Sequence, residues 1–135
     1  MSDDEKISAI LRSMKRIAVV GLSRNPDRPS HDVARYLQHA GFEIVPVNPA
    51  ESGEILGQAV YRDLASVPGD IDVVDVFRRP DAVLPIAEDV VRRGGVRAFW
   101  MQLGISSPPA RALLERHGIS VVEDRCLKVE HQRSR

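Results

Sequence analysis

Short β-rich runs alternate along the chain with helical patterns of about a dozen residues, and this alternation limits the fold more than any other feature. The clearest run, residues 16–21, is mostly apolar and ends in glycine, which is typical of a strand covered on both faces. The predicted strands are residues 16–21, 43–47, 59–61, 72–77, 96–101 and 119–122. Repeated strand–helix–strand units predict a Rossmann-like α/β domain: a doubly wound, mostly parallel sheet of five to six strands with helices on both faces.

The predicted helices begin at recognisable residues. Ser30 and Ser107 are candidate N-caps, because a hydroxyl at that position accepts a backbone N–H of the first turn. The helix expected over 81–93 contains Pro85, which is tolerated only near the first turn, so we expect this helix to begin late.

Size and charge exclude several classes of protein. The 135 residues are expected to form one domain over 16–131, with an N-terminal helix in 1–15 and a tail over 132–135. Lys plus Arg and Asp plus Glu number 19 each, so no net field attracts nucleic acid or an anionic membrane. No apolar stretch reaches the ~20 residues of a membrane helix, and the single cysteine excludes an internal disulfide. Four scattered histidines indicate no metal site, and we expect a cytoplasmic protein.

In a sheet of this kind, ligands bind outside the carboxyl ends of the strands, where the strand order reverses. This rule selects four loops, each named here by its first residue: Gly21, Asn48, Phe77 and Gln102. With the usual strand order 3-2-1-4-5, the first and fourth strands are neighbours, so we expect the Gly21 and Phe77 loops to face each other.

The Gly21 loop, residues 21–30, has the composition of an anion site. It leads from a buried strand into a helix N-terminus, where free backbone N–H groups and the helix dipole favour negative charge. Glycine at its start allows close approach of the backbone. Hydroxyl donors and positive charge suited to phosphate come from Ser23, Arg24, Arg28 and Ser30. The alternative is a polar surface loop with both arginines in solvent.

The same loop does not fit the nicotinamide dinucleotide fingerprint G-x-G-x-x-G. Only Gly21 is present, with Ser23 and Pro26 in place of the other glycines. The second strand ends in Asn48 and Pro49 rather than in the acidic residue that holds the ribose hydroxyls. A nucleotide with an extra ribose phosphate needs cations instead, and coenzyme A, with its 3′-phosphate and pyrophosphate, is such a ligand.

The Phe77 loop, residues 77–80, supplies further cations. Arg78 and Arg79 are expected to face the arginines of the Gly21 loop across the crevice, and Phe77 offers an aromatic face for adenine. The alternative is that Phe77 belongs to the core and that the two arginines pair with nearby aspartates.

Five short motifs, in this order, resemble a known family. All but the last stand at strand ends, and they are residues 20–30, 47–49, 74–78, 100–104 and 124–126. Together they resemble the small stand-alone CoA-binding proteins. These are similar to the N-terminal CoA-binding domain of the succinyl-CoA synthetase α subunit and to the ADP-forming acyl-CoA synthetases.

The resemblance implies a role for each loop. The Gly21 loop would hold the phosphates, the Asn48 loop would border the nucleotide, the Phe77 loop would line adenine and ribose, and the Gln102 loop would follow the pantetheine arm. The residues carried over are, loop by loop, Gly21, Ser23, Arg24, Arg28 and Ser30; Asn48 and Pro49; Phe77 and Arg78; and Gln102, Leu103 and Gly104.

The synthetases transfer phosphate through a histidine of a second domain, with an ATP-grasp partner. We expect no second domain in this chain, so the resemblance implies the ligand without the reaction. We therefore expect non-catalytic binding of CoA or an acyl-CoA, with no catalytic residue. The alternative is a CoA-binding subunit completed by a separate ATP-binding partner, and a protein partner or a homo-oligomer stays open.

Cys126 follows the last predicted strand, between Arg125 and Lys128. A lone cysteine is commonly a small buried apolar residue. Neighbouring cations, however, favour the reactive thiolate, and CoA itself ends in a thiol. The alternative hypothesis is therefore a redox cysteine that forms a mixed disulfide with CoA or catalyses CoA-dependent thiol–disulfide chemistry.

Overall fold

The computed structural model describes residues 2–135, with strands and helices numbered in chain order. The main sheet contains β1 (Arg16–Val20), β2 (Glu43–Val47), β5 (Ile71–Val76), β6 (Val96–Met101) and β7 (Ser120–Val122). A separate hairpin consists of β3 (Glu54–Ile55) and β4 (Gln58–Ala59). The helices are α1 (Asp3–Ser13), α2 (Pro29–His39), α3 (Val83–Arg93), α4 (Pro108–Arg116) and α5 (Leu127–Arg133). The predicted Rossmann-like α/β fold is confirmed.

The five parallel strands of the main sheet have the spatial order β2-β1-β5-β6-β7. The chain places β2 on one side of β1 and then crosses to the other side for β5, so the strand order reverses between β1 and β5. Counted as the predicted strands, this order is 2-1-4-5-6, so the expected order 3-2-1-4-5 is confirmed except that the third predicted strand does not join the sheet. The expected neighbours are confirmed as well, because residues 17–20 of β1 pair with residues 73–76 of β5. The carboxyl ends of these two strands meet where such folds bind ligands.

The strand expected at residues 59–61 does not join the main sheet. Leu56 and Gly57 have positive φ angles of 54° and 78°, which turn the chain back and pair β4 with β3 instead. Tyr61 keeps only an isolated parallel bridge to Val47. The main sheet therefore has five strands, because the turn at Leu56 and Gly57 pairs the start of the third predicted strand with β3.

Helices cover both faces of the sheet, with α1, α2 and α5 on one face and α3 and α4 on the other. Successive side chains of a strand point to opposite faces. On β1, Ile17 and Val19 pack with the first group of helices, whereas Ala18 and Val20 pack with the second. Trp100 is completely buried in the first layer, as expected of a core residue.

The helix starts follow the sequence signals in two cases out of three. The Ser107 hydroxyl accepts the backbone N–H of Ala110 over 3.3 Å and caps α4. The helix α3 begins late, which leaves Pro85 within its first turn. The prediction that Ser30 caps α2 is wrong: the N-cap is Arg28, and the helix begins two residues earlier than expected, at Pro29, whose fixed φ suits the first helical position.

Within residues 2–135, no helix has both the length and the apolar character that crossing a bilayer requires. In the same part of the chain, no three His, Cys, Asp or Glu side chains converge as metal ligands do. The last helix, α5, continues through the boundary expected at residue 131.

Candidate functional site

A cleft of about 810 Å³ opens where the Gly21 and Phe77 loops meet. Its walls are the Gly21 loop with the first turn of α2, the Phe77 loop, the Gln102 loop and the start of α5. The cleft is lined by ten of the residues that the sequence singled out: Gly21, Ser23, Arg28, Ser30, Phe77, Arg78, Arg79, Gln102, Leu103 and Cys126. The fold thus brings three of the four selected loops into one cavity.

Gly21 lies where the Gly21 loop contacts the Phe77 loop, at the point where the strand order reverses. Its φ is +91°, and its N–H donates to the Val47 carbonyl oxygen over 2.8 Å. A Cβ atom at this position would overlap the Phe77 carbonyl oxygen and lie 3.0 Å from the Arg78 side chain. Glycine is therefore needed both for the backbone conformation and for the close approach of the loops.

The Gly21 loop is held by its own hydrogen bonds. The Ser23 N–H donates to the hydroxyl of buried Ser30 over 3.0 Å. Nδ1 of His31, also buried, lies 2.8 Å from the Ser23 carbonyl oxygen. Ser30 therefore acts on the loop rather than on the helix end, and the first turn of α2 lines the cleft with its positive dipole end.

Arg24 points away from the cleft. Its Nε lies 2.7 Å from Glu51 Oε1, its backbone N–H donates to Glu51 Oε2 over 3.0 Å, and its guanidinium also donates to the Ser52 carbonyl oxygen. Together the Arg24 backbone and guanidinium lower the pKa of the Glu51 carboxyl. The structure therefore does not bring Arg24 to the other candidate residues, because a carboxylate of the next loop engages it.

Three further candidates also lie outside the lining of the cleft. The Asn48 side chain donates to the Leu22 carbonyl oxygen over 3.0 Å, which ties the Asn48 loop to the Gly21 loop from behind. Pro49 is exposed beyond it. Gly104, with φ of +84°, lies in a turn near Asp124. These residues shape the loops without facing the cavity.

Three guanidinium groups border the cleft and make few ion pairs or hydrogen bonds with the other described residues. Within residues 2–135, Arg28 and Arg78 make no ion pair and no side-chain hydrogen bond. Arg79 lies 3.5 Å from Asp81, but both side chains are at least three-quarters exposed, at 81% and 75%. Such an exposed pair contributes little stability, so an anion can displace it.

The position of Phe77 agrees with both interpretations of the sequence, as a core residue and as a residue that faces the cleft. It is half-buried, packs against the core on the α2 side of the sheet, and also lines the cleft. An aromatic ring held from one side and open on the other offers a fixed face for a planar ligand.

Sequence reasoning missed Asp32 and assigned no role in the cleft to Lys128, although both line it. Lys128 Nζ donates to Asp32 Oδ2 over 2.9 Å and joins α5 to α2. This hydrogen bond is the main reason that the pKa of Asp32 is lowered. No local signal connects two residues so far apart in the chain, and only the position of Asp32 in the first turn of α2 pointed towards the cleft.

Cys126 and Gln102 stand together where α5 begins. Cys126 is half-buried, precedes the first residue of α5 and packs against the core. Buried Gln102 accepts the Leu127 N–H on its Oε1 over 3.0 Å and so fixes the start of α5 to the end of β6. The part of the cleft that is formed by the start of α5 is therefore held in place by the Gln102 side chain.

The model of the CoA binding domain family matches residues 15–132, which is most of the chain. The chain belongs to this family. The YneT protein of Bacillus subtilis strain 168, which is uncharacterized, is 43% identical over 126 residues, covering 93% of this chain and 92% of that protein. A solved structure from Thermus thermophilus, the cell-free protein ID.343, has a TM-score of 0.93 and 38% identity, covering 99% of this chain and 100% of that one.

The family also relates the chain to part of a larger enzyme. The ADP-forming acetate–CoA ligase of Methanocaldococcus jannaschii is 24% identical over 123 residues, covering 85% of this chain but 17% of the ligase. The resemblance to the CoA-binding part of the ADP-forming synthetases, expected from the five motifs, is therefore confirmed.

Proposed function

We propose that this chain binds coenzyme A or one of its thioesters in the cleft and holds it without converting it. The observation that carries the proposal is a set of three cations on the two facing loops, Arg28, Arg78 and Arg79. Among the described residues, the one ion pair that they make is the exposed pair of Arg79 with Asp81. Guanidinium groups pair well with phosphate, and CoA presents a pyrophosphate and a 3′-phosphate. Membership of the CoA binding domain family supports the same ligand.

The shape of the cleft fits the parts of this ligand. Gly21 lets the Phe77 loop approach the Gly21 loop closely, and both loops line the cleft beside the N-terminus of α2, where the helix dipole favours a phosphate. Phe77 offers its open face to adenine. The Gln102 loop, with Leu103, leads away from the cations and is the natural path for the pantetheine arm.

The end of β2 favours CoA over NAD. Asn48 uses its side chain on Leu22 and Ala50, and the next carboxylate along the chain, Glu51, is engaged by Arg24. Among the described residues of the Asn48 loop, no carboxylate is left for the two ribose hydroxyls that NAD would present. A ribose that carries a phosphate, as in CoA, does not need a carboxylate at this position.

The other chemical groups near the cleft favour binding over catalysis. Nδ1 of His31 is engaged by the Ser23 carbonyl oxygen, and the Asp32 carboxylate is engaged by Lys128. Thiol exchange between Cys126 and CoA stays a prediction. We place the protein in the cytoplasm and assign the binding unit to residues 16–131.

Isothermal titration of the full chain with CoA, dephospho-CoA and NAD tests the proposal. We expect CoA to bind most tightly and Arg28→Ala to weaken it by about tenfold to hundredfold, since a charge-assisted phosphate contact is worth ~1.5–3 kcal/mol. The matched control is Arg62→Ala, whose side chain is 83% exposed and lies outside the cleft lining. Equal affinities of the wild-type protein and Arg28→Ala, or preference for NAD, would refute the assignment.

A further inference from the structure

Two large hydrophobic side chains stand out on the surface of residues 2–135. Leu103 is 71% exposed and Val129 is 41% exposed, and both line the same cleft. Leu103 belongs to the Gln102 loop and Val129 to α5. Exposed apolar side chains that share one cavity indicate a surface covered by a ligand or a partner.

The chemical character of the cleft changes from one end to the other. Its cationic end, Arg28, Arg78 and Arg79, lies on the loops that follow β1 and β5. Its apolar end lies beyond β5, on the loop after β6 and the start of α5, and consists of Leu103, Ile105, Cys126 and Val129. Because neighbouring strands are about 4.8 Å apart, the two ends are successive regions along the edge of the sheet.

The floor of the apolar end is continuous with the core. Ile105 packs against the core on the α3 and α4 side of the sheet, and Cys126 packs against the core on the α2 side. Both side chains are partly buried, so a ligand that covers them extends the hydrophobic interior rather than resting on an isolated patch.

The one cation at this end is already paired. Lys128 Nζ lies 2.9 Å from Asp32 Oδ2 and 5.5 Å from the centre of the Tyr36 ring. A carboxylate brought into this end would meet the negative charge of Asp32 beside a lysine that is already paired, whereas an aliphatic group would leave the pair undisturbed. The charge pattern therefore matches an amphiphile with a polyanionic head and a neutral apolar tail.

We propose that the apolar end is an acyl site, and that the ligand of the cleft is a CoA thioester with a short, uncharged aliphatic acyl group. The inference rests on the proposed CoA binding and adds the class of acyl chain. Leu103, where the path of the pantetheine arm ends, and Val129 form the walls that the acyl chain covers. The Lys128–Asp32 pair disfavours acyl groups that end in a carboxylate.

A titration series with CoA, acetyl-CoA, butyryl-CoA, hexanoyl-CoA and succinyl-CoA on the full chain tests this site. A fully buried CH₂ group is worth about fourfold in affinity, so we expect a gain of about two- to fourfold per CH₂ in this open cleft. Succinyl-CoA should bind no more tightly than acetyl-CoA. Affinity that is independent of chain length, or that is highest for succinyl-CoA, would overturn the acyl site.

Variants of the two walls supply the second readout, which is the slope of affinity against chain length. Val129→Ser and Leu103→Ser should flatten this slope, and Val129→Ile is the matched control that should preserve it. An unchanged slope in both serine variants would overturn the inference even if chain length matters. Tight CoA binding with a flat slope refutes only the acyl site, whereas no binding of any thioester refutes the proposed function as well.

Discussion

In the part of the chain that the structure describes, most polar side chains of the Gly21 loop are paired, whereas Asp75 near the end of β5 and Arg78 in the Phe77 loop have no partner. In the Gly21 loop, Ser23 is bonded to Ser30 and Arg24 to Glu51. In β5, neither carboxylate oxygen of the fully buried Asp75 has a hydrogen-bond partner among residues 2–135. The comparison separates two requirements of a binding site: the internal hydrogen bonds of the Gly21 loop supply a fixed frame, and Arg28 and Arg78 supply guanidinium groups that no other described residue neutralises.

Both requirements lower the cost of binding, in different ways. A loop that is already ordered loses little conformational entropy when a ligand arrives. A guanidinium without a partner need not break an ion pair before it meets a phosphate. The two loops meet at Gly21, so this residue should be the most sensitive point of the comparison.

Gly21→Ala should have the largest effect, because it separates the two loops. The positive φ costs about 1–2 kcal/mol for a non-glycine residue, and the overlap with the Phe77 carbonyl adds about 1–3 kcal/mol. Urea unfolding measures the loss of stability. Gly41→Ala is the matched control, because Gly41 has φ of +103° but nothing within 4 Å of its Cβ position. Equal losses in the two variants would show that the loops are not pressed together.

Arg78→Ala and Arg24→Ala should separate the two requirements directly. Arg78→Ala should weaken CoA binding by about tenfold or more with little change in stability, since its guanidinium has no partner to lose. Arg24→Ala should lower the free energy of unfolding by up to about 1 kcal/mol and weaken CoA less than Arg78→Ala does. Titration and urea unfolding of both variants check this pair. The reverse pattern would mean that Arg24, rather than Arg78, reaches the ligand.

Asp75→Asn should have the smallest effect on CoA binding, because Asp75 does not line the cleft, and its effect should instead be a change in the pH dependence of stability. Burial raises the pKa of Asp75 well above its ordinary value of 3.8, so the folded protein holds a proton that the unfolded chain releases. The free energy of unfolding should therefore fall by about 1.4 kcal/mol per pH unit between the unfolded and the folded pKa.

The asparagine variant carries no such proton, so the wild-type protein should lose stability relative to it as pH rises. Urea unfolding of both proteins at pH 5, 6, 7 and 8 measures this difference, which cancels the contributions of all other groups. Parallel pH profiles would show that Asp75 is ionised in the folded protein and has a partner after all.

Much of the site could be predicted from local patterns. The apolar run before Gly21 identified the central strand, and parallel strands place their following loops on one edge of the sheet. Phe77, Arg78 and Gln102 could be predicted in this way, because each lies within two residues of the end of a strand. The strand expected at 59–61 failed for a local reason as well, since the turn at Leu56 and Gly57 diverts it into the hairpin.

The misses involve partners that are distant in sequence. Glu51 removes Arg24 from the cleft, and Lys128 meets Asp32 although 96 positions separate them. The sequence does not connect Leu103 with Val129, because their exposure indicates a binding surface only when both side chains are known to line one cavity.

By itself, the sequence determined the alternating elements, the edge of the sheet at which the cleft lies, and the need for glycine at position 21. The tertiary structure alone decided which arginines line that cleft and which end of it is apolar. The physical reason is reach. Strands and turns follow from the preferences of neighbouring residues, whereas a guanidinium on a long, flexible side chain turns to whichever carboxylate the fold brings within a few ångströms.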